Sequence, residues 1–189
     1  MPEINITLNG VLKLLNCTMH KATQSPDTIQ ARFLKEMANE IAPAITYIFQ
    51  LSLQQGKVPK DWLDAHIVPV YKKGDKNTAS NYRPVSLTCI LCKTMEHTIQ
   101  SNILKHLDKY KILTDAQHGF RAKRSCETQL IITLDDIIKN AAQGKQVDIA
   151  LLDFSKAFDK VPHKRLLHKL HFFGIRNNTL NWINSFLSN

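Results

Sequence analysis

The stretch Leu151 to His163, LLDFSKAFDKVPH, decides the fold. It overlaps a nearly all-apolar run, Val147 to Phe154, that holds Asp148 and Asp153 and is typical of a strand buried on both faces. A helix is predicted to begin shortly after Asp153, so this carboxylate would lie at the end of a buried strand. Carboxylates so placed can hold paired Mg²⁺ ions, about 3.5–4 Å apart, for phosphoryl transfer. The open alternative is that Asp153 caps the following helix.

Upstream of this stretch, the sequence predicts helices and one hairpin. Apolar residues from Ile29 to Phe49 recur at helical spacing, and Pro43 is predicted to kink that stretch or split it into two helices. The β-rich segments Ala65 to Tyr71 and Pro84 to Thr88 predict a hairpin. Its long polar tip, Lys72 to Tyr82, is basic.

Four further helices are predicted from apolar periodicity, with Gly144 and Gly174 as stops. They cover Met95 to Leu107, Leu130 to Ile138, Pro162 to Phe173 and Thr179 to Leu187. The predicted class is therefore α/β in the wider, α+β sense. One buried strand does not make a sheet, so we expect the chain to be part of a longer domain.

The charge balance favours a polyanionic partner. The 189 residues include 25 Lys and Arg against 16 Asp and Glu, a net charge of +9. No run approaches the roughly 20 apolar residues of a membrane span, so the sequence predicts an intracellular protein, in nucleus or cytoplasm, without a membrane partner. The four scattered cysteines do not suggest a disulfide framework.

Four ordered blocks carry a family resemblance. They are the Ala22 to Lys35 stretch, GDKNTASNYRPVSL (74–87), DAQHGFRAKRSCETQL (115–130) and DIALLDFSKAFDKVPHKRLLHKL (148–170). Together they resemble reverse transcriptases of non-LTR retrotransposons, most closely the jockey-type elements of animals.

The resemblance implies a polymerase fingers–palm fold with an incomplete palm. Residues 1–60 would form a helical N-terminal extension, 61–145 the fingers and 146–189 the start of the palm. The implied function is RNA-directed DNA polymerase (nucleotidyltransferase) activity, with an RNA template, a DNA primer, deoxynucleoside triphosphates and Mg²⁺ as partners and cofactor. The alternative is a non-catalytic remnant that binds RNA or DNA.

The resemblance also implies roles for individual residues. Asp153 would be the first metal-binding carboxylate and catalytic residue, with the backbone carbonyl of Phe154 as a second metal ligand. Phe158 would be the steric gate that excludes a 2′-hydroxyl from the incoming nucleotide. Without the resemblance, core packing is the ordinary role of such a phenylalanine.

Further residues would contact the nucleotide and the template. Arg83, with Lys72 or Lys73, would clasp the triphosphate, since arginine makes bidentate phosphate contacts. Gln117, Gly119 and Arg121 match a template-contacting block. Outside the family context, exposed charges such as these are solvated surface groups.

Two departures from the family bear on activity. The 189 residues contain no (Phe/Tyr)-Ala-Asp-Asp block after Asp153, so two of three catalytic carboxylates are missing and this polypeptide alone is predicted to be inactive. The segment Ser25-Pro-Asp-Thr-Ile-Gln30 replaces the usual Gly-Pro-Asp-Gly-Ile-Pro, which puts that turn in doubt. No endonuclease domain precedes the polymerase blocks in this sequence, and together these losses predict a degenerate or fragmentary copy.

Two motifs imitate functional sites. Asp135 and Asp136 form an acidic pair, but they precede Asp153 and fall in a helical pattern, which favours a solvent-facing helix surface. Cys89 and Cys92 followed by His97 have zinc-like spacing without a second pair of ligands nearby.

Between Lys156 and Arg176 the basic residues, which outnumber the single acid Asp159, suggest a surface that could follow a nucleic-acid backbone.

Overall fold

The structure, a computed structural model, describes residues 1–17 and 26–188. The chain divides into two compact units, the first comprising Met1–His106 with His163–Asn189 and the second Leu107–Pro162. The described residues form seven α-helices and one antiparallel hairpin: α1 Leu8–Asn16, α2 Ala31–Glu36, α3 Ala38–Gln55, β1 His66–Tyr71, β2 Tyr82–Leu87, α4 Ile90–Lys109, α5 Cys126–Ala142, α6 His163–Phe172 and α7 Asn177–Leu187. Mixed helix and strand, as predicted, is therefore confirmed.

The core of the first unit is built mainly by helices. Phe49 of α3 is fully buried, and its ring meets Trp62 edge-on with centroids 5.5 Å apart. Trp182 of α7 is 2% exposed and donates its indole N–H to the Ser52 hydroxyl at 2.9 Å. That hydroxyl in turn donates to the Lys57 carbonyl at 2.6 Å. The buried polar groups between α3 and α7 are thus paired, which keeps their burial inexpensive.

The stretch forms two helices, as predicted, but the break between them falls at Met37 and the predicted split at Pro43 is wrong. Pro43 lies inside α3, where a proline removes one hydrogen bond to the carbonyl four residues earlier. Pro43 is exposed, so that carbonyl, on Asn39, can be hydrated instead. Met37 leaves the helical conformation, with φ −97° and ψ 15°, and its carbonyl accepts from Glu40 and Ile41.

The hairpin prediction is confirmed. Strands β1 and β2 pair from His66 opposite Leu87 to Tyr71 opposite Tyr82. The polar tip therefore closes between residues 72 and 81, as the alternating pattern indicated.

The predicted buried strand Val147 to Phe154 is wrong. These residues form no strand, and Leu151 and Leu152 are 93% and 87% exposed. A strand buried on both faces needs a neighbouring strand to pair with and layers above and below it. Among the described residues the sheet consists of β1 and β2 alone, so this apolar run has no strand to join.

The second unit is sparsely packed. Leu107 is its one buried residue, and α5 buries none of its side chains. Helix α5 begins with a capping box, in which Ser125 and Thr128 bond reciprocally, and Gly144 beyond its end adopts φ +71° as predicted for a helix stop. Local capping, more than a core, therefore defines α5.

Within residues 1–17 and 26–188, no helix is both long enough and apolar enough to cross a membrane.

The family's Gly-Pro-Asp-Gly-Ile-Pro turn corresponds to residues 25–30. The structure describes residues 26–30 of it, while Ser25 and the rest of 22–25 lie outside the described residues. Thr28 stands where the family carries the second glycine and adopts the left-handed φ of +57°. The Asp27 carboxylate accepts from the Ile29 N–H at 3.2 Å and holds the turn. The turn persists, with a β-branched residue in a conformation that favours glycine.

We expect Thr28→Gly to raise the free energy of unfolding by about 0.5–1 kcal/mol, because the left-handed strain disappears and part of the gain is offset by glycine's larger unfolded-state entropy. Urea unfolding measures the change. Thr28→Ala is the matched control, since alanine removes the branch but keeps a Cβ in the same backbone conformation. Equal gains from both variants would contradict strain at this position.

Candidate nucleic-acid interface

The hairpin tip, residues 72–81, carries three exposed lysines, Lys72, Lys73 and Lys76, and one acid, Asp75. The three ammonium groups form no ion pair with any described residue. Lys76 lies over the Tyr71 ring at 5.7 Å. The tip is therefore an exposed surface with a net positive charge, of the kind that binds phosphates.

Hydrogen bonds hold this tip in one shape. The Lys72 N–H donates to the Asn81 carbonyl at 2.9 Å, and the Asn81 side chain donates to the Asp75 carbonyl at 2.8 Å. The Tyr82 hydroxyl donates to the Lys76 carbonyl at 2.8 Å. A positioned tip binds at lower entropic cost than a loose loop of the same charge.

Arg83 lies on β2 opposite Val70 and is exposed. Because side chains two residues apart on a strand share a face, Lys72 continues the face on which Val70 and Arg83 stand. The structure thus brings the predicted triphosphate contacts Lys72, Lys73 and Arg83 together on one hairpin.

In the second unit, Arg121 holds the loop that precedes α5. Its side chain is 17% exposed, donates to the Thr114 carbonyl at 2.8 Å and lies 3.6 Å from the Asp108 carboxylate. Gln117 is exposed, and its side-chain amide donates to the Gly119 carbonyl at 3.2 Å. The predicted template contacts therefore lie in one loop. Two of them, Gln117 and Arg121, make hydrogen bonds within that loop.

Sequence reasoning missed Arg124 in this loop. Its guanidinium contacts the Asp115 carboxylate at 2.7 Å and also donates to the Asp115 carbonyl. Asp115 and Arg124 lie on either side of the HGFR segment (118–121) in the sequence. This placement of opposite charges is the one sequence signal that could have indicated their bond. The loop is closed by charge pairing, while Lys123 remains exposed without an ion pair among the described residues.

Asp153 is exposed and lies in a segment without regular secondary structure. Residues 155–160 form turns, with the Lys160 N–H bonded to the Lys156 carbonyl at 3.1 Å, and α6 begins only at His163. The prediction of a helix shortly after Asp153 is therefore wrong, and so is the alternative that Asp153 caps it. One aromatic contact, between Phe158 and Phe120, involves this segment.

Phe154 and Phe158 are 79% and 77% exposed, so ordinary core packing does not explain either of them. The Phe158 ring meets Phe120 edge-on at 6.1 Å between centroids. The carbonyl of Phe154 follows Asp153 directly, as the predicted ligand pair requires.

The residues present do not fit a site for two divalent ions. In the part of the chain that the structure describes, no three His, Cys, Asp or Glu side chains stand close enough to hold a metal. After Asp153 the sequence contains one further carboxylate, Asp159. Divalent cations of this kind require several oxygen ligands.

The two imitating motifs have structural roles. Asp135 pairs with Lys139 one turn along α5, and both Asp135 and Asp136 are exposed, so the predicted solvent-facing surface is confirmed. Cys89 and Cys92 are buried in the core of the first unit. Burial, followed by the hydrogen bond from its thiol to Glu96, raises the pKa of Cys92 far above its usual value. A thiol held in its neutral form is a poor zinc ligand.

Helix α6 carries a second basic surface. Its basic side chains are exposed and form no ion pair with described residues. They are His163, Lys164, Arg165, His168, Lys169 and His171. Leu166, Leu167 and Leu170 are half-buried on the same helix. The amphipathic arrangement leaves the cationic face to solvent.

The chain matches one protein family and is similar to several known proteins. Residues 70–189 match the family described as reverse transcriptase (RNA-dependent DNA polymerase). The chain is similar to the RNA-directed DNA polymerase from mobile element jockey of Drosophila melanogaster, with 30% identity over 89% of this chain and 19% of the relative. It is also similar to the Pol polyprotein from the type-1 retrotransposable element R2 of Popillia japonica, with 30% identity over 74% of this chain and 19% of the relative. The chain thus spans about a fifth of the length of these relatives.

Proposed function

The chain belongs to the reverse transcriptase (RNA-dependent DNA polymerase) family and is similar to polymerases of non-LTR retrotransposons, and from this we propose that it is part of an enzyme for RNA-directed DNA synthesis. In this proposal the chain binds the nucleic acid and the incoming nucleotide. The observation that carries the proposal is the hairpin tip, because its three unpaired lysines and Arg83 stand on one ordered support within the matched residues. Phosphates of a template, a primer or an incoming nucleotide are the groups that such a surface attracts.

In this proposal the three parts of the chain keep their predicted boundaries. Residues 1–60 support the fingers, 61–145 form them and 146–189 open the palm. Lys72, Lys73 and Arg83 hold the triphosphate. Gln117, Gly119 and Arg121 shape the loop against which the template lies, with Arg121 acting through its bonds to Thr114 and Asp108.

The chemical step requires more than these residues supply. Asp153, with the Phe154 carbonyl, would contribute one carboxylate and one neutral oxygen toward divalent metal binding. Among the residues that the structure describes, Asp153 belongs to no group of three or more side chains able to hold a metal ion. Phe158 would lie near the sugar of the nucleotide and exclude a 2′-hydroxyl.

For this 189-residue polypeptide alone, the second candidate function, nucleic-acid binding without catalysis, is favoured. The observations behind it are the exposure of Asp153, outside any strand, and the exposed lysines of the hairpin tip and of α6. Partners in that case are RNA and DNA, held through their backbones.

We expect the purified chain to make no DNA from a primed RNA template with Mg²⁺ and deoxynucleotides, and Asp153→Ala to behave identically, because one carboxylate does not hold two ions. We expect the same chain to bind the primed template with an affinity that falls steeply as salt rises. Product formed by the chain and lost in Asp153→Ala would overturn the inactivity. An affinity that does not change with salt concentration would contradict binding through the phosphates.

A further inference from the structure

Helix α3 has two apolar faces, and neighbouring helices cover one of them. Helices α1 and α7 pack against α3, and Phe49 and Leu53 lie on its buried face. Of its 18 residues only Glu40, in the first turn, is charged. A helix that is apolar on all sides is normally buried within a larger assembly. The uncovered face of α3 is therefore a candidate contact surface.

This uncovered face is a stripe whose members are alternately four and three residues apart. It consists of Met37, Ile41, Ala44, Ile48 and Leu51. Ile41 is half-buried and the others are exposed, with Ile48 43% accessible. Such spacing sets side chains in one line along a helix, and it is the pattern by which two helices pack together. The stripe therefore favours another helix as its occupant.

The charges at the two ends of α3 favour an antiparallel second copy of the same helix. Glu40 and Lys57 are exposed, and neither forms an ion pair with a described residue. They lie at opposite ends of a helix about 27 Å long, so they do not meet within one copy. An antiparallel partner brings Glu40 of each copy to the end that carries Lys57 in the other. A parallel partner would place Glu40 beside Glu40, which is repulsive.

Side-chain sizes and net charge fit the same arrangement. A two-fold axis near the middle of α3 sets the small Ala44 of each copy opposite Ile48 of the other. The stripe itself is uncharged, which matters because two chains of net charge +9 repel each other elsewhere. With Tyr47 beside it, the stripe exposes roughly 400–500 Å² per copy. A pair would bury about 800–1,000 Å², which is the size of a weak, reversible contact.

We propose that the stripe of α3, residues 37–51, is the contact surface between two copies of this chain, packed antiparallel about a two-fold axis. Small and large side chains interdigitate along the stripe, and each Glu40 carboxylate faces the Lys57 ammonium group of the other copy. The contact lies in the first unit and does not include the hairpin tip. It is therefore independent of the proposed polymerase function.

The test is sedimentation equilibrium of the full chain, freed of nucleic acid, from about 1 to 200 µM. We expect the mass to rise from one copy to two with a Kd of about 10–100 µM, as suits a contact of this size. Ile48→Asp is expected to raise that Kd at least about tenfold, because the symmetric contact buries the new carboxylate twice. Leu130→Asp, at an exposed apolar position of α5, is the matched control and should leave the Kd unchanged.

A charge exchange tests the orientation of the pair. Glu40→Lys and Lys57→Glu are each expected to weaken the pair several-fold, and the double variant is expected to restore it. Glu40→Lys also removes a favourable charge from the helix start, but Lys57→Glu cannot repair that loss. Circular dichroism checks that each variant keeps its helix content.

Three results would overturn the proposal. The first is a chain that stays monomeric up to about 200 µM or that grows beyond two copies, because a two-fold contact closes on itself. The second is a pair that Leu130→Asp breaks and Ile48→Asp does not. The third is a double charge variant that pairs as weakly as the single variants.

Discussion

Phe49→Ala is expected to lower the free energy of unfolding of the first unit by about 3–5 kcal/mol, since it removes a fully buried ring and leaves a cavity. The ring meets Trp62 edge-on and belongs to the cluster that joins α3 to α7. Its neighbours are held by several elements and cannot collapse into the space. A loss of this size is a large part of the stability of any small domain.

The measurement is urea unfolding followed by tryptophan fluorescence. Trp62 and Trp182, the two tryptophans of the chain, both lie in this core, so the signal reports the first unit. Tyr47→Ala is the matched control, because Tyr47 is an aromatic residue of the same helix that is 66% exposed. If the two variants lost equal stability, Phe49 would not be the centre of the core.

Replacing Lys72, Lys73 and Lys76 together by glutamine is expected to weaken binding of a primed RNA template about 10–100-fold at moderate salt. The slope of log affinity against log salt should fall by about two to three, since each lost phosphate contact removes somewhat less than one released counterion. The reason is structural: the three ammonium groups are unpaired and stand on an ordered tip. Fluorescence anisotropy at several salt concentrations measures both quantities.

A matched triple variant controls for charge alone. Lys13, Lys93 and Lys105 are exposed lysines on helices of the same unit, and changing them to glutamine lowers the net charge equally, from +9 by 3 to +6. The control is expected to lose little affinity. An equal loss in both triples would show that the chain binds through its overall charge and not through the hairpin tip.

Local patterns were sufficient for the hairpin and for most helices. The alternation in residues 65–71 and 84–88 and the glycine stops at Gly144 and Gly174 are properties of neighbouring residues, which act through short-range geometry. The grouping of Lys72, Lys73 and Arg83 follows from the same register. Pro43 does not split the helix, because the carbonyl that loses its hydrogen bond is exposed and can be hydrated.

The burial of a segment is not a local property. Val147 to Phe154 has the composition of a central strand, yet burial needs neighbouring strands and covering layers that composition does not supply. The role of Arg121 is equally invisible in the sequence, since its partners Thr114 and Asp108 are seven and thirteen residues away.

By itself, the sequence determined the family, the basic character, the hairpin and the helical segments, because these depend on residue order and on contacts between near neighbours. The tertiary structure alone decided that Asp153 stands exposed and outside any strand. It also decided that Ile48 and Leu51 of α3 stay exposed while Phe49 of the same helix is buried. Such differences arise where distant segments pack together, and no local pattern records which segments will meet.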